Sequence, residues 1–418
     1  MRLRLFPATA DSNARRLICA RALRAVADGY VGVLLPAYLL ALGLDAFEVG
    51  VLTAATLLGS AGLTLLVGFI TNRFGHRRPL LAAAALMVAT GLGFAGLSDF
   101  WPLLLVAFVG TMNPSTGDVS VFLPLEQSLL AHSVGDRDRT ALFVRYSLAG
   151  SLMGAAGTLL AALPDLAQQW WAVMPAQVMQ GMFLLYAAIG AASGLIYRGI
   201  DEPQAAHDAP ESEPLGPSRA IVYRLAALFS IDAFGGGLIV QSILALWLFQ
   251  TFGLSVTAAA SLFFWINVLS SLSMFAAGPI AARIGLVRTM VFTHLPSNLC
   301  LIAIPFTSSL PVVIALLLVR SLLSQMDVPT RNSYVMAVVT PRERAAAASL
   351  TSVPRSLASG IGPLISGGLV MLSGFAWPLL LAGLFKSAYD LALLGMFSHV
   401  RPPEERAGSV EISASPQR

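Results

Sequence analysis

Charge is scarce in this chain of 418 residues, of which 11% are Asp, Glu, Lys or Arg and 56% are hydrophobic. Soluble domains carry about 25% charged residues, so the composition excludes an ordinary water-soluble enzyme of this size. Basic and acidic residues nearly cancel, and the formal net charge of +4 gives no reason to expect a nucleic-acid partner. The mean hydropathy of +0.75 instead predicts a polytopic membrane protein whose surroundings are the lipid bilayer.

Cysteine and metal-ligand patterns are also nearly absent. Cys19 and Cys300 both lie inside apolar runs, so we expect buried, unpaired thiols and no disulfide or metal site. The sequence contains no Gly-rich phosphate loop of the G-x-x-x-x-G-K-[ST] type, which excludes ATP hydrolysis of that type by this chain. These absences predict a protein that binds no metal or cofactor and is not an enzyme.

Apolar runs long enough to cross a bilayer, about 20 residues each, recur along the whole chain. The first run is too long for the core of a signal peptide and contains charged residues, so we expect it to remain as a spanning helix. The pattern predicts an all-α protein with twelve transmembrane helices. Their expected ranges are 18–42, 46–70, 79–98, 101–131, 140–163, 172–197, 221–250, 255–281, 286–306, 311–339, 345–372 and 375–399.

The arginines predict the orientation of these helices. Cytoplasmic connections carry an excess of Lys and Arg, and arginines occur on alternate connections of this chain but not on the connections between them. Those other connections hold acidic residues, with Trp101, Trp170, Trp171 and Trp377 where an aromatic belt is expected. We therefore expect a multi-pass protein of the inner or plasma membrane with both termini in the cytoplasm.

A polar stretch between the sixth and seventh spans divides the chain. Its prolines and acidic residues suit a flexible cytoplasmic linker and cannot form a hydrophobic core. The sequence predicts a six-helix bundle over 1–198, a linker over 199–218, a second six-helix bundle over 219–400 and a disordered cytoplasmic tail over 401–418. We expect the protein to be monomeric.

A short pattern of glycines and arginines follows both the second and the eighth span. Repeats in matching order give two pseudo-symmetric halves, an architecture typical of transporters. The first copy resembles the loop motif of the major facilitator superfamily, G-x-L-a-D-R-x-G-R-R, and the twelve-span layout resembles that family throughout. The resemblance implies the fold and a transport function. The residues of this cytoplasmic gate motif are Gly68, Asn72, Arg73, Gly75, Arg77 and Arg78, with Gly278, Arg283, Gly285 and Arg288 in the second copy.

Asn72 departs from the family motif, which has an acidic residue at this position. The resemblance implies that the acid joins the motif arginines in a charge lattice that locks the cytoplasmic side. Glu126, near the cytoplasmic end of the fourth span, is our candidate for the missing carboxylate. The alternative is that the motif arginines only fix the topology.

Two stretches of small residues lie in the fifth and eleventh spans. The second, 360–368, resembles the Gly-Pro motif of the family's antiporters, but in those proteins the motif belongs to the fifth span. Here the fifth span has glycines without the proline. We therefore interpret both stretches as helix-packing surfaces and do not infer antiport.

Charged residues inside spans are costly and tend to mark a transport path. They concentrate in spans one, four, seven and ten, and the resemblance implies that these four helices line the central cavity. Asp28 and Asp232 are expected at similar depths near the middle of the bilayer. The expected cavity residues are Arg24, Asp28, Thr111, Ser115, Asp118, Asp232, Gln241, Arg320, Ser324, Asp327, Arg331 and Arg355.

Helical spacing predicts which of these residues share one face of their span. At about 100° per residue, span ten is predicted to carry one stripe, formed by Arg320, Ser324, Asp327 and Arg331. Span four repeats this spacing with Thr111, Ser115 and Asp118, and the two stripes are the strongest indication of a cavity in the sequence. The Asn113-Pro114 segment and the glycines 235–237 predict breaks that free backbone groups. As alternatives to a cavity site, i,i+4 spacing also allows a pair between Arg24 and Asp28, and we expect one between Lys386 and Asp390.

These features favour a secondary transporter that moves a small solute by alternating access. Proton coupling through Asp28, Asp232, Asp118 or Asp327 is our hypothesis for its energy source. A multidrug or metabolite exporter of apolar compounds is the alternative within transport. A non-transporting membrane receptor or a lipid scramblase is the alternative of another class. The balance of acids and arginines does not select the charge of the solute.

Overall fold

The computed structural model of the protein describes residues 11–115, 120–133, 136–201, 215–340, 343–372 and 376–398. The side chains of 68–73, 131–132, 136–141 and 345 are excluded from that description. Within these ranges the regular structure is entirely helical, which confirms the predicted all-α fold. The expected tail 401–418 and residues 202–214 of the expected linker lie outside the described residues.

The helices follow the predicted spans, and most spans are single helices. They are α1 (Ser12–Ala41), α2 (Ala46–Phe74), α3 (Arg77–Gly96), α4 (Phe100–Val109), α5 (Phe122–His132), α6 (Asp136–Leu160), α7 (Leu163–Trp171), α8 (Pro175–Arg198), α9 (Arg219–Gly237), α10 (Gln241–Phe252), α11 (Val256–Ile284), α12 (Leu286–Ala303), α13 (Leu310–Leu323), α14 (Asp327–Val338), α15 (Arg344–Leu372) and α16 (Trp377–Phe397).

The outer surface of the helices is apolar. In the described chain, eleven helices or joined helix pairs are long and apolar enough to span a membrane, and the fourth predicted span supplies the shorter α4 and α5. Trp101 is 75% exposed and Leu372 is 82% exposed, which suits contact with lipid. These features confirm the polytopic fold. Both cysteines are free, but Cys19 is exposed and Cys300 is half-buried, so the expectation of two buried thiols is wrong.

Three predicted spans are broken near their middles. Residues 110–121 separate α4 from α5, residues 238–240 separate α9 from α10, and residues 324–326 separate α13 from α14. The first two breaks confirm the predictions from Asn113-Pro114 and from the glycines that end at Gly237. The third was not predicted. Its physical reason is Pro329 in the first turn of α14, which has no N–H to continue the hydrogen-bond ladder from α13.

The breaks make the predicted helical stripes wrong. Thr111 and Ser115 lie in the non-helical segment between α4 and α5, and Asp118 lies outside the described residues. Arg320 is on α13, whereas Asp327 and Arg331 are on α14. Continuous 3.6-residue periodicity therefore does not relate these side chains.

One compact unit contains the described parts of Met1–His207, Leu238–Val268 and Gly360–Ala376. Helix α1 packs against α6, α8 and α10 inside this unit. A Cβ added to Gly29 on α1 would lie 2.1 Å from the carbonyl oxygen of Gly154 on α6. A Cβ added to Gly367 would lie 2.9 Å from the Cα of Gly50. Both small-residue stretches therefore let helices approach closely, as predicted.

The other unit contains the described parts of Asp208–Gly237, Leu269–Ser359 and Trp377–Arg418. Its apolar core is formed where α9, α12, α14 and α16 meet. Phe229, Met290, Tyr334 and Tyr389 are buried there, one from each helix. This core supports a group of buried charged side chains in the same unit.

Glu343, in the connection before α15, fastens the start of α9 within the second unit. One carboxylate oxygen accepts the N–H of Gly216 at 2.5 Å. The other accepts the hydroxyl groups of Ser218 and Thr340, each at 2.7 Å. The carboxylate thereby joins the residues that lead into α9 to the end of the connection before α15.

The two units differ from the predicted bundles 1–198 and 219–400. Helix α10, the start of α11 and the end of α15 group with the first unit. Because α9 ends before 238–240, α10 is free to pack against α1 and α2. Ser366 on α15 donates a hydrogen bond to the carbonyl of Leu238 at 2.7 Å in the same unit.

Candidate functional site

Arg24 on α1 is buried and its guanidinium is fully engaged within the first unit. Its Nη2 donates to the carboxylate of Glu126 on α5. Its Nε donates to the hydroxyl of Tyr197 on α8 at 3.0 Å. The guanidinium also lies 3.9 Å from the centre of the Phe122 ring, a cation–π contact. Arg24 therefore makes its hydrogen bonds to Glu126 and Tyr197, whereas its interaction with Asp28, one helical turn away, is electrostatic.

Glu126 is completely buried and accepts hydrogen bonds from three side chains. Besides Arg24, the hydroxyl of Tyr146 on α6 donates to it at 2.5 Å and the hydroxyl of Tyr197 donates at 2.6 Å. A carboxylate can be buried when charge and hydrogen bonds compensate it in this way. Glu126 thus ties α5 to α1, α6 and α8. The sequence did not predict these partners.

Asp28 lies one helical turn beyond Arg24 and is only partly buried. Arg21 and Arg24 attract its carboxylate electrostatically, and Glu126 repels it. Across the part of the chain that the structure describes, no side chain or backbone group donates a hydrogen bond to Asp28. Asp28 is therefore a mid-span carboxylate that is near cations but is not locked to any of them.

The broken fourth span places polar groups close to α1. The N–H and the hydroxyl of Ser115 donate to the side-chain oxygen of Asn113, at 3.1 Å and 2.7 Å. A Cβ added to Gly32 on α1 would lie 3.4 Å from the carbonyl oxygen of Pro114 and 2.7 Å from the amide nitrogen of Gln241 on α10. The predicted residues Ser115 and Gln241 therefore both lie in the first unit near α1.

The first unit holds one further member of the predicted set, Thr111, and gives Gln241 a second polar neighbour. The N–H of Thr111 donates to the hydroxyl of Thr90 on α3 at 3.3 Å. The side-chain oxygen of Gln241 accepts the amide of Asn267 at 3.3 Å. Both Thr111 and Gln241 are buried.

The second unit brings together Asp232, Asp327 and Arg331, three of the predicted residues, and adds Lys386. The Nζ of Lys386 on α16 donates to Oδ1 of Asp232 at 2.6 Å. Arg331 bonds Asp327 at 2.9 Å and reaches Oδ2 of Asp232 at 3.5 Å. All four side chains are buried. The expected pair between Lys386 and Asp390 is wrong, because Lys386 reaches across to α9.

His294 and Asn298 on α12 also belong to this group of polar side chains and were not among the residues predicted from sequence. The Nδ1 of His294 lies 3.1 Å from both carboxylate oxygens of Asp390. The amide of Asn298 donates to Asp390 at 2.8 Å. Span nine has no charged residue near its middle, so it was not among the spans predicted to line the cavity. A histidine and an asparagine four residues apart in an apolar run share one helical face, and that spacing was an available signal.

Three predicted residues of the second unit lie outside these contacts. Ser324 is buried at the end of α13, and its N–H donates to the carbonyl of Arg320 at 3.0 Å. Arg320 is half-buried and interacts electrostatically with Asp232. Arg355 is half-buried on α15.

The two copies of the gate motif form similar turns, each within its own unit. Gly75 has a φ of +73° between α2 and α3, and Gly285 has a φ of +89° between α11 and α12. Glycine adopts this left-handed region without steric cost, which accounts for glycine at both positions. Gly68 and the side chains of Asn72 and Arg73 are among the parts excluded from the description, so a link from Glu126 to the motif stays a prediction. The exposed members are Arg77, Arg78, Gly278, Arg283 and Arg288.

Comparisons with known proteins agree with this architecture. A sequence profile of the Major Facilitator Superfamily matches residues 17–241 and 225–416. An uncharacterized membrane protein of Saccharomyces cerevisiae, YJR124C, is 24% identical over 411 residues, which cover 90% of this chain and 92% of the yeast protein.

Solved structures share the fold. The nucleoside transporter NupG superposes with a TM-score of 0.70 at 12% identity, over 93% of this chain and 100% of NupG. A bacterial homologue of the human lysosomal transporter Spinster, in an inward-facing and occupied conformation, gives a TM-score of 0.71 at 15% identity, over 93% of this chain and 97% of that protein.

Proposed function

We propose that this chain, which belongs to the Major Facilitator Superfamily, moves a small solute by alternating access and couples this movement to protons. Members of this family are membrane transporters, and the chain is a transporter rather than an enzyme. The proposed setting is the inner or plasma membrane, with both termini in the cytoplasm and the protein acting as a monomer. The alternating arginine content of the connections supports that orientation.

The state of Asp28 is the observation that carries proton coupling. A carboxylate that is partly exposed and free of hydrogen-bond donors among the described residues can gain and lose a proton when water reaches it. Asp232 is different, because Lys386 and Arg331 hold it as an ion. Of the two acids that the sequence placed at similar depth, Asp28 is therefore the coupling candidate.

The three broken spans support alternating access. A helix break frees backbone carbonyl and N–H groups near the middle of the membrane and gives a helix a point at which to bend. Breaks occur at 110–121, 238–240 and 324–326. Spans four, seven and ten are the broken ones, and they also carry most of the predicted cavity residues.

The buried ionic groups favour a polar solute over the alternative of an exporter for apolar compounds. Each unit holds several charged side chains away from the apolar exterior. A site for apolar molecules needs no such groups, and keeping them in a membrane protein is costly.

The first experiment identifies the solute. Purified protein is screened by thermal shift against metabolites and drugs, because a ligand that binds the native state raises its melting temperature. Each hit is then tested for counterflow in proteoliposomes. Counterflow establishes transport of that solute, whereas binding of many hits without counterflow would contradict the transport proposal and favour a receptor.

The second experiment tests coupling with Asp28→Asn, which keeps the size of the side chain and removes the titration. We expect this variant to lose pH-driven accumulation and to retain counterflow. Asp99→Asn is the matched control, because Asp99 is exposed and its side chain makes no capping hydrogen bond. Wild-type accumulation in Asp28→Asn would refute the assignment.

The orientation has a separate test. A reporter that is active only outside the cytoplasm should be active when fused after Ala167 or near Gly374. The same reporter fused near His207 should be silent. Activity at His207 would reverse the proposed topology.

A further inference from the structure

His294 lies in the interior of the second unit, between carboxylates from two other helices. Its side chain is 3% exposed. Its Nδ1 is 3.1 Å from both oxygens of Asp390 on α16, and its Nε2 is 3.9 Å from Oδ1 of Asp232 on α9. One imidazole therefore faces two acids through its two nitrogens.

The charged and titratable groups around this imidazole come from every helix packed near α12. Helix α9 contributes one acid, α14 contributes an acid and an arginine, α13 contributes an arginine, and α16 contributes a lysine, a tyrosine and an acid. These groups are Asp232, Asp327, Arg331, Arg320, Lys386, Tyr389 and Asp390.

Two of the three acids are paired with permanent cations, and the third is not. Arg331 contacts Asp327 at 2.9 Å, and Lys386 contacts Asp232 at 2.6 Å. Asp390 is completely buried, and its hydrogen-bond partners among the described residues are His294 and Asn298. Arg320 acts electrostatically on Asp232. Lys386 acts on Asp390 only electrostatically, after the larger contribution of His294. A buried carboxylate without a hydrogen-bonded cation is costly, so the charge of Asp390 depends mainly on His294.

The geometry also distinguishes the two ring nitrogens. Nδ1 faces Asp390 and lies 3.4 Å from the amide nitrogen of Asn298, and Nε2 faces Asp232. When Asp390 is ionised it accepts hydrogen bonds and cannot donate them, so Nδ1 then carries the hydrogen that points to Asp390. In that state the neutral imidazole has its lone pair on Nε2, and a proton can add to the ring only there.

We propose that Nε2 of His294 takes up and releases a coupling proton, and that the imidazolium formed competes with Lys386 for Oδ1 of Asp232. This inference rests on the proton coupling proposed above and adds a second site to Asp28. The step is a simple proton transfer: a proton from water binds the Nε2 lone pair, the imidazole becomes an imidazolium, and water regains the proton when the site opens.

The competition gives the proton a structural effect. Nζ of Lys386 lies 2.6 Å from Oδ1 of Asp232, and Nε2 of His294 lies 3.9 Å from the same oxygen. A Cβ added to Gly235 would lie 3.0 Å from Cγ of Lys386, so the lysine stem packs against the last turn of α9. Movement of Lys386 therefore acts directly on the helix end that precedes the break at 238–240.

The test is nitrogen NMR on protein labelled with ¹⁵N-histidine. The chain has five histidines, and replacing His76, His132, His207 and His399 with Gln leaves His294 as the single signal. We expect Nδ1 to stay protonated while Nε2 changes from the imidazolium to the lone-pair form as the pH is raised. In Asp390→Asn, the fixed Nδ1–H tautomer should be lost. A His294 that keeps one protonation state from pH 5 to 9 would overturn the proposal.

Transport measurements separate this site from the general proposal. His294→Gln should lose the dependence of solute accumulation on a pH gradient, whereas the control His207→Gln, in the polar stretch between the sixth and seventh spans, should keep it. Retained pH dependence in His294→Gln would overturn the inference while leaving proton-coupled transport intact. If wild-type protein shows no pH-driven accumulation although Nε2 titrates, the coupling proposal fails and the inference fails with it. If His294→Gln does not fold, the NMR titration of the single-histidine variant still decides the matter.

Discussion

Asp232 on α9 and Lys386 on α16 form a buried ion pair of 2.6 Å, although 154 residues separate them in the sequence. The pair crosses from one helix to another, so it fixes the distance between the last part of α9 and the middle of α16. Arg331 supports it from α14 at 3.5 Å. Helices α9, α14 and α16 are therefore held together by charge as well as by the apolar core of the second unit.

The first prediction concerns this pair. Lys386→Met should destabilise the folded protein by about 3 to 5 kcal/mol, because a buried carboxylate loses its closest cation. The double variant that combines Lys386→Met with Asp232→Asn should lose less folding stability than the sum of the losses of the two single variants. Thermal unfolding in detergent measures both effects. Arg288→Met, at an exposed arginine, is the control and should change stability by less than about 0.5 kcal/mol. Strictly additive losses would show that the two residues do not interact.

The second prediction concerns Glu126. Glu126→Gln should cost about 3 to 5 kcal/mol of folding stability, because Arg24 is left buried without its carboxylate. Tyr197→Phe should cost about 1 to 3 kcal/mol, since it leaves the Nε of Arg24 without an acceptor. Tyr223→Phe, at a tyrosine that is 49% exposed, is the control.

Asn72→Asp extends the test of Glu126. Because the structure places Arg24 and two tyrosines around this carboxylate, we expect Asn72→Asp not to restore the stability of Glu126→Gln. Restoration of both stability and transport by Asn72→Asp would instead support the original role of Glu126 in the gate motif.

The third prediction concerns the contact between α1 and α6. Gly29→Ala should destabilise the protein by at least about 1 to 3 kcal/mol, because the new Cβ would lie 2.1 Å from the carbonyl oxygen of Gly154. Gly62→Ala on α2 is the matched control, because a Cβ there meets no atom within 4 Å. That variant should be neutral or stabilising by up to about 1 kcal/mol through helix propensity. Equal melting temperatures for the two variants would argue against the close packing.

The fourth prediction concerns pH. Hydrogen bonds from Ser218, Thr340 and the Gly216 N–H lower the pKa of Glu343 to about 2. A carboxyl whose pKa is lower in the folded state contributes stability that is complete above its unfolded value of roughly 4.3 and is lost as the pH falls toward about 2. The melting temperature of wild type should therefore fall more than that of Glu343→Gln between about pH 5 and pH 2.5. Ser218→Ala should show an intermediate fall. Parallel curves for wild type and Glu343→Gln would contradict this.

The spans and two of the three breaks could be predicted from sequence because hydropathy, Pro and Gly act locally. Asn113-Pro114 and Gly237 mark breaks whatever surrounds them. The third break at 324–326 was missed because Pro329 in the first turn of a helix is compatible with either a new helix or a kink. The grouping of the helices into the two units depends on where α10 packs after the break, and no local sequence pattern determines that.

The partners of the buried charges could not be predicted in the same way. Spacing along one helix suggested Lys386 with Asp390, but both side chains find their partners on other helices. The rotation of each helix about its axis decides such contacts, and local sequence does not fix it. His294 was not predicted for a related reason. Its two acidic neighbours, Asp232 and Asp390, come from other helices, and the sequence around His294 does not indicate them.

Lys386 is a selective target for chemical labelling, because its ion pair with Asp232 shields its amine. It is the one lysine in the whole sequence, and its side chain is buried against Asp232. Reagents that acylate amines therefore have a single side-chain target, besides the chain's amino terminus, and can reach it only when the ion pair opens. Covalent labelling of one residue thus records, molecule by molecule, how often α9 and α16 separate.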